Sequence, residues 1–228
     1  MALVKFGGGI TQMSGSIAGN TFARNRFGNY VRVRTKPVNP NSTLQAAARS
    51  RVGSLTQAWR TALDAAERLS WSTYAAAVGT KNKLGETVFL TGLNHFVRSN
   101  STRLQVGKTV VEPGPTVLAL PEKDPILAVS ASVATQLLTM VYDVAQPWML
   151  EANAFLAVYQ GEPQNATRNF FAGPWRFAGK ILQNVAPTYT VPCSFTLVLG
   201  QKVWVYARIG RADGRLSEPM VVSCVVAA

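Results

Sequence analysis

Hydrophobic residues repeat at helical spacing after residue 42. At 100° per residue they form one stripe, made of Leu44, Val52, Leu55, Trp59 and Leu63. Arg49 and Arg60 lie almost opposite that stripe. The two prolines within residues 37–40 exclude a helix before this point, and Asn41 or Ser42 can cap its start. The pattern predicts an amphipathic helix whose arginines face outward.

Two further helices complete a small helical domain over residues 37–110. Asp64 can cap a helix that Gly79 stops. After a glycine-containing link, Thr91 can cap a third helix, which Gly107 ends. The sequence therefore predicts three helices in this domain.

The pattern changes after residue 110 to short β-prone runs separated by turn residues. Residues 111–124 have the composition of a linker, and residues 125–228 hold seven or eight such runs, as in a β-sandwich. The predicted strands span residues 126–133, 137–144, 154–160, 169–172, 175–181, 189–199, 202–209 and 220–226. The predicted fold class is α+β, with the helices before the sandwich.

Residues 1–36 are predicted to form an extended arm with a short strand or hairpin, because six glycines interrupt β-prone pieces. In the run after Gly28, alternation places Tyr30, Arg32 and Arg34 on one face and the two intervening valines on the other. An arm of this kind needs a partner to become ordered.

Charge divides the chain in two. Residues 1–110 contain 15 Lys and Arg against three Asp and Glu, whereas residues 111–228 contain eight of each. No acidic residue precedes Asp64, so the basic arm cannot neutralise itself. Its counter-charge must come from solvent ions, nucleic acid or an acidic protein surface.

Catalytic signatures fail in detail. Gly107 is followed by Lys and Thr, like the end of a phosphate-binding loop, but Thr102 stands where the first glycine is needed. The serine within residues 15–19 comes one position too early for a nucleophile elbow. His95, the single histidine, is interpreted as a structural residue of the third helix. We predict no enzymatic activity and no catalytic or cofactor-binding residue.

Cys193 and Cys224 lack the spacing and the neighbouring ligands of a zinc site, so no metal is predicted. Buried thiols are favoured, and a disulfide between neighbouring strands stays open. The first residues lack the apolar core of a signal peptide, and no apolar run is long enough to cross a membrane. We expect a soluble protein without a membrane partner.

The uncompensated cations are the remaining chemical signal. The candidate partner-binding residues are Arg24, Arg26, Arg32, Arg34, Lys36, Arg49 and Arg60. With Phe22, Phe27 and Tyr30 between them, the arginines of the arm could bind phosphates while the rings stack on bases. Contact with a protein surface is favoured, because no known nucleic-acid-binding motif accompanies the charge.

Several short motifs resemble a group of poorly characterised structural proteins from tailed bacteriophages and prophages. The resemblance covers about residues 15–115. It is carried by Gly15-Ser16-Ile17-Ala18-Gly19, Tyr30-Val31-Arg32, Asn39-Pro40-Asn41-Ser42-Thr43-x-Gln45, Arg49, Trp59, Arg68, Trp71, Leu90-Thr91-Gly92 and Phe96-Val97-Arg98-x-Asn100. It implies a virion component with a sandwich after the helices.

The last part resembles a fibronectin type III or immunoglobulin-like domain. The resemblance lies in residues 203–209, then Asp213-Gly214, then Ser217-Glu218-Pro219 before a final strand. Tyr142 stands where such domains often have Trp, and Val203 stands where a tyrosine is expected.

Together these features lead us to expect a structural protein of a phage virion. The favoured role is a head cement or capsid decoration protein, a homo-oligomer attached to the major capsid protein or other virion proteins by its basic N-terminal half. A neck, tail or baseplate accessory protein is one alternative. A nucleic-acid-binding or packaging protein is the other.

Overall fold

The computed structural model describes residues 2–25, 28–36, 38–81, 86–183 and 186–228. Contacts divide the chain into two compact units, residues 1–46 and residues 47–228. The second unit therefore contains most of the predicted helical domain together with the predicted sandwich.

The first unit contains a four-stranded antiparallel sheet, more than the hairpin that the sequence suggested. Its strands are β1 (Ala2–Leu3), β2 (Gly15–Ile17), β3 (Asn20–Asn25) and β4 (Gly28–Val33). Their order in the sheet is β1-β4-β3-β2. The two outer strands are short, as is common for strands that would otherwise expose long unpaired edges.

Three helices follow at the predicted places: α1 (Thr43–Thr61), α2 (Ala65–Ala77) and α3 (Gly92–Gln105). Asp64 caps α2 in a full capping box with Glu67, and Thr91 caps α3 by accepting a hydrogen bond from the Asn94 amide. Both predicted caps are confirmed. The link between these helices also forms an unpredicted hairpin, β5 (Gly79–Lys81) with β6 (Thr87–Phe89).

The helices share a core of aromatic rings in edge-to-face and tilted contact. Trp71 is fully buried and contacts Phe96 edge to face, with ring centroids 5.7 Å apart. Its indole N–H donates to the Glu112 carbonyl at 2.8 Å. Asn100 exchanges two further hydrogen bonds with the backbone of Val111. The start of the predicted linker is thus bound to the helices.

Seven strands form an antiparallel β-sandwich, as predicted. They are β7 (Ala128–Ser132), β8 (Leu137–Val141), β9 (Phe155–Gly161), β10 (Trp175–Ile181), β11 (Thr188–Pro192), β12 (Lys202–Gly210) and β13 (Met220–Val225). One sheet has the order β11-β8-β7 and the other β10-β9-β12-β13. Both contribute to one apolar core, which includes the buried Tyr142.

Two of the eight predicted strands differ from the structure by more than a few residues at their ends. Residues 169–172 are not a strand, and the Phe171 ring packs over Gly161 of β9 instead. The predicted strand 189–199 ends at Pro192, beyond which the Ser194 amide donates to the Gln160 side chain instead of to a neighbouring strand.

Helix α3 and the residue that follows it pack against the outer face of the sheet β10-β9-β12-β13. Strand β9 is buried on both faces, since its even-numbered residues point into the sandwich while Phe155 and Ala157 pack against Val106 at the end of α3. The Tyr159 hydroxyl is bonded to the Gln105 side chain at 2.9 Å. Within the second unit, α3, this sheet and the sheet β11-β8-β7 are therefore stacked in that order.

Candidate interaction surface

The register of the N-terminal sheet assigns its side chains to two faces, because directly paired residues of antiparallel strands share a face. One face, here called the valine face, comprises Ile17, Phe22, Arg24, Val31 and Val33. The opposite face, here called the tyrosine face, comprises Leu3, Ser16, Thr21, Ala23, Tyr30 and Arg32. The predicted alternation of residues 30–33 is confirmed.

The register also separates two of the candidate arginines. Arg24 pairs with Asn29 on the valine face, whereas Arg32 pairs with Thr21 on the tyrosine face. Arg24 reaches the Gln12 side chain, with 3.4 Å between the hydrogen-bonded atoms. The arm therefore presents cations on both sides of its sheet.

Arg34 and Lys36 follow the end of β4 and are exposed. The Arg34 amide donates to the Gly19 carbonyl at 2.8 Å, which holds this residue next to the turn between β2 and β3. Arg26 and Phe27, which the sequence analysis also named, lie outside the described residues.

The N-terminal sheet has little apolar shielding. Every side chain described in residues 3–36 is exposed or half-buried, and the rings of Phe6 and Phe22 are in contact with their centroids 6.3 Å apart. Val33 is 76% exposed, and Leu3 and Ile17 are also open to solvent. Leu3, Lys5, Phe6 and Ile10 line an open groove of about 580 Å³ that also borders Gly28 and Asn29. Apolar side chains are therefore exposed on both faces of this sheet.

Helix α1 places Arg49 and Arg60 on its exposed side, as its periodicity predicts. Its apolar stripe is buried only in the second half, where Leu55 packs among the other helices and Trp59 contacts Phe96. The expectation for the first half was wrong, since Leu44 and Val52 are exposed.

The histidine and the two cysteines of the chain are buried or half-buried in the structure. His95 is 2% exposed and stands edge to face against Tyr74 at 5.2 Å. Burial, aided by Arg98, lowers its pKa to about 4.

Cys193 and Cys224 are free, half-buried thiols. Burial raises the pKa of Cys193 to about 11, and nearby Cys224 adds to that shift.

The described ranges contain no cluster of His, Cys, Asp and Glu that could hold a metal ion. Within the same ranges, no helix has the length and apolar character needed to span a membrane.

One cationic cluster was not predicted from the sequence. Arg98 of α3 and Arg208 of β12 line a common pocket with Lys123. The first two are 110 positions apart, so no local motif joins them. This cluster could have been predicted only if the packing of α3 on the sheet that contains β12 had been known.

No protein-family model matches this chain, and no curated protein matches it. Among solved structures, an Fn3-like protein from Clostridium thermocellum is similar with a TM-score of 0.31 and 11% sequence identity, over 47% of this chain and 95% of that chain. From its own strands, the chain belongs to the class of α+β proteins with a seven-stranded antiparallel β-sandwich.

Proposed function

We propose that this protein is a structural component of a tailed-bacteriophage virion, and most specifically a head cement or decoration protein attached to the capsid by its basic N-terminal half. The observation that carries the proposal is the N-terminal sheet, which is folded but exposes aliphatic side chains next to uncompensated cations. The sequence resemblance to phage structural proteins supplies the class of assembly.

A macromolecular partner suits this sheet better than a small ligand. Residues 1–46 contain six Lys and Arg and no Asp or Glu. The exposed side chains of Leu3, Ile17 and Val33 lie on both faces, so a partner must contact both to cover them. A groove between two subunits of a shell would enclose the sheet and contact both of its faces. An acidic groove would also neutralise the arm.

The partner is a protein rather than a nucleic acid. A single-strand binder combines phosphate-binding cations and stacking rings along one track. Here Phe22 is half-buried beside Phe6, on the face opposite Tyr30 and Arg32. The aliphatic side chains of Ile17 and Val33 are exposed on the valine face, and these suit a protein surface better than bases.

The sandwich would be the exposed or self-associating part of such a protein. Its strand order, with the first, second and fifth strands in one sheet and the fourth, third, sixth and seventh in the other, supports the resemblance to a fibronectin type III domain. Its half of the chain is charge-balanced. In a homo-oligomer, several arms docking on one lattice would gain avidity without a strong single contact.

The test is attachment to particles that lack this protein. We expect the full chain to bind and a chain without residues 1–36 not to bind, although both keep the same sandwich. Arg32→Glu with Arg34→Glu should weaken attachment strongly, whereas the control Arg168→Glu, on the sandwich, should not. Attachment of the truncated chain would contradict the proposal.

Copy number separates the head from the neck, tail or baseplate. Quantitative mass spectrometry of purified particles should find hundreds of copies of a cement protein and a dozen or fewer of an accessory protein. A steep loss of affinity for single-stranded DNA with salt, about 0.7 log units per log salt for each phosphate bound, would instead indicate nucleic-acid binding.

A further inference from the structure

A pocket of about 460 Å³ lies between the helical layer and the sandwich. It is lined by Thr80, Leu90, Arg98, Lys123, Arg208, Glu218 and Pro219. This volume falls within the range of roughly 300–1,000 Å³ that is usual for small-molecule sites. None of its lining residues belongs to the N-terminal sheet or to α1.

The charges in this pocket do not balance. Lys123 forms an ion pair with Glu218 at 2.8 Å, and Glu218 is the single carboxylate among the lining residues. Neither Arg98 nor Arg208 has an ion pair in the described ranges. The ten residues outside those ranges include no Asp or Glu. The pocket thus holds three cations against one anion.

The two guanidinium groups are close enough to repel one another. Both residues are half-buried, and burial, followed by the charge of Arg208, lowers the pKa of Arg98. The Arg208 guanidinium lies over the Tyr206 ring at 5.3 Å, and its Nε has no hydrogen-bond partner among the described residues. Glu218, which is paired with Lys123, offsets this repulsion less than Arg208 causes it, so an anion between the two guanidinium groups would be stabilising.

We propose that this pocket binds a phosphate dianion, either free or as the end group of a small phosphomonoester, between the guanidinium groups of Arg98 and Arg208. A phosphate ester carries a charge of about −1.5 to −2 at pH 7, which matches the net double positive charge of the pocket. Guanidinium groups bind phosphate oxygens through paired hydrogen bonds. Leu90 and Pro219 provide apolar walls that strengthen these contacts.

The inference does not depend on the proposed function, because it involves neither the arm nor a particle. It is tested on the full chain by isothermal titration at pH 7 and constant ionic strength, with inorganic phosphate and with phenyl phosphate as ligands. Sodium acetate and sodium chloride are the controls. We expect saturable binding of phosphate and a rise in the thermal midpoint that acetate does not produce.

Two variants locate the site. Arg98→Gln and Arg208→Gln should each weaken phosphate binding about tenfold or more, since each loses a charge-assisted pair of hydrogen bonds. Arg176→Gln is the matched control, because Arg176 lies over the Phe195 ring and does not line the pocket. Arg98→Gln should fold at least as stably as the wild type without phosphate, because it removes the repulsion.

Comparison of the two ligands distinguishes the two sources of phosphate. Tighter binding of phenyl phosphate than of inorganic phosphate would indicate a phosphomonoester, and equal or weaker binding would indicate the free anion. The proposal is overturned if phosphate does not saturate, if acetate binds equally well, or if Arg98→Gln binds phosphate as tightly as Arg176→Gln does.

Discussion

The Arg103 guanidinium of α3 donates a hydrogen bond to the backbone carbonyl of Arg211, at 2.9 Å and across 108 positions of the chain. Its Nε donates to the Thr109 carbonyl at 3.0 Å. The residue is 3% exposed, and the charges of Asp213 and Glu151 also act favourably on its guanidinium. This contact fastens the helical layer to the loop after β12.

Arg103→Ala should therefore destabilise the second unit. Loss of both charged hydrogen bonds and of the buried stem should reduce the free energy of unfolding by about 2–4 kcal/mol. Urea denaturation followed by tryptophan fluorescence measures this change. Arg32→Ala, an exposed arginine of the N-terminal sheet, should change the midpoint little, and equal effects of the two variants would contradict the assignment.

The helices and the sandwich should unfold together. Removing residues 1–124 exposes Phe155, Ala157 and Tyr159 on the outer face of β9, which α3 covers in the full chain. A fragment of residues 125–228 is expected to bind a hydrophobic dye and to aggregate, because a large apolar patch becomes exposed. A fragment of residues 37–228 should remain monodisperse, with coincident fluorescence and circular dichroism transitions. A soluble 125–228 fragment with the midpoint of the full chain would favour independent domains.

Acid should destabilise the helical layer through His95. Because the folded pKa of about 4 lies below the unfolded value of 6.5, the unfolded chain binds the proton more readily between these two pH values. Stability is thus complete above pH 6.5 and falls as the pH decreases toward 4. Between pH 7 and pH 5 the loss should be about 2 kcal/mol. Urea midpoints should show this slope in the wild type and a much smaller one in His95→Gln.

Two glycine substitutions should change the free energy of unfolding in opposite directions. A Cβ at Gly210 would lie 2.3 Å from the buried Phe155 ring, so Gly210→Ala should cost about 1–3 kcal/mol. Gly53 lies inside α1 with no atom within 4 Å of its Cβ position. Gly53→Ala should therefore stabilise by about 0.5–1 kcal/mol, because alanine restricts the unfolded chain and favours the helix. Thermal midpoints of both variants test the pair.

Local signals in the sequence predicted the helices well. Asp64 and Thr91 were identified as caps because capping requires only a polar side chain and the amides of the next turn. The hairpin of β5 and β6 was missed because strands of three residues are too short to show a period. Residues 169–172 have strand composition, but Phe171 is used to cover Gly161.

The positive charge of the N-terminal sheet was predictable from the sequence, but the face on which each arginine lies was only partly predictable. The alternation of Tyr30, Val31, Arg32 and Val33 was read from the chain, since side chains alternate within any strand. The placement of Arg24 on the valine face depends on the register between β3 and β4. A shift of one residue would have moved it to the other face.

The sequence by itself determined the features that depend on neighbours in the chain: the caps, the charge division at residue 110, and the alternation of each strand. The tertiary structure decided which surfaces meet. It placed α3 on the sheet β10-β9-β12-β13 and buried β9 on both sides. It also placed Arg98 and Arg208 in one pocket. Packing of layers depends on complementary side-chain shapes across distant segments, and spacing along the chain does not encode that complementarity.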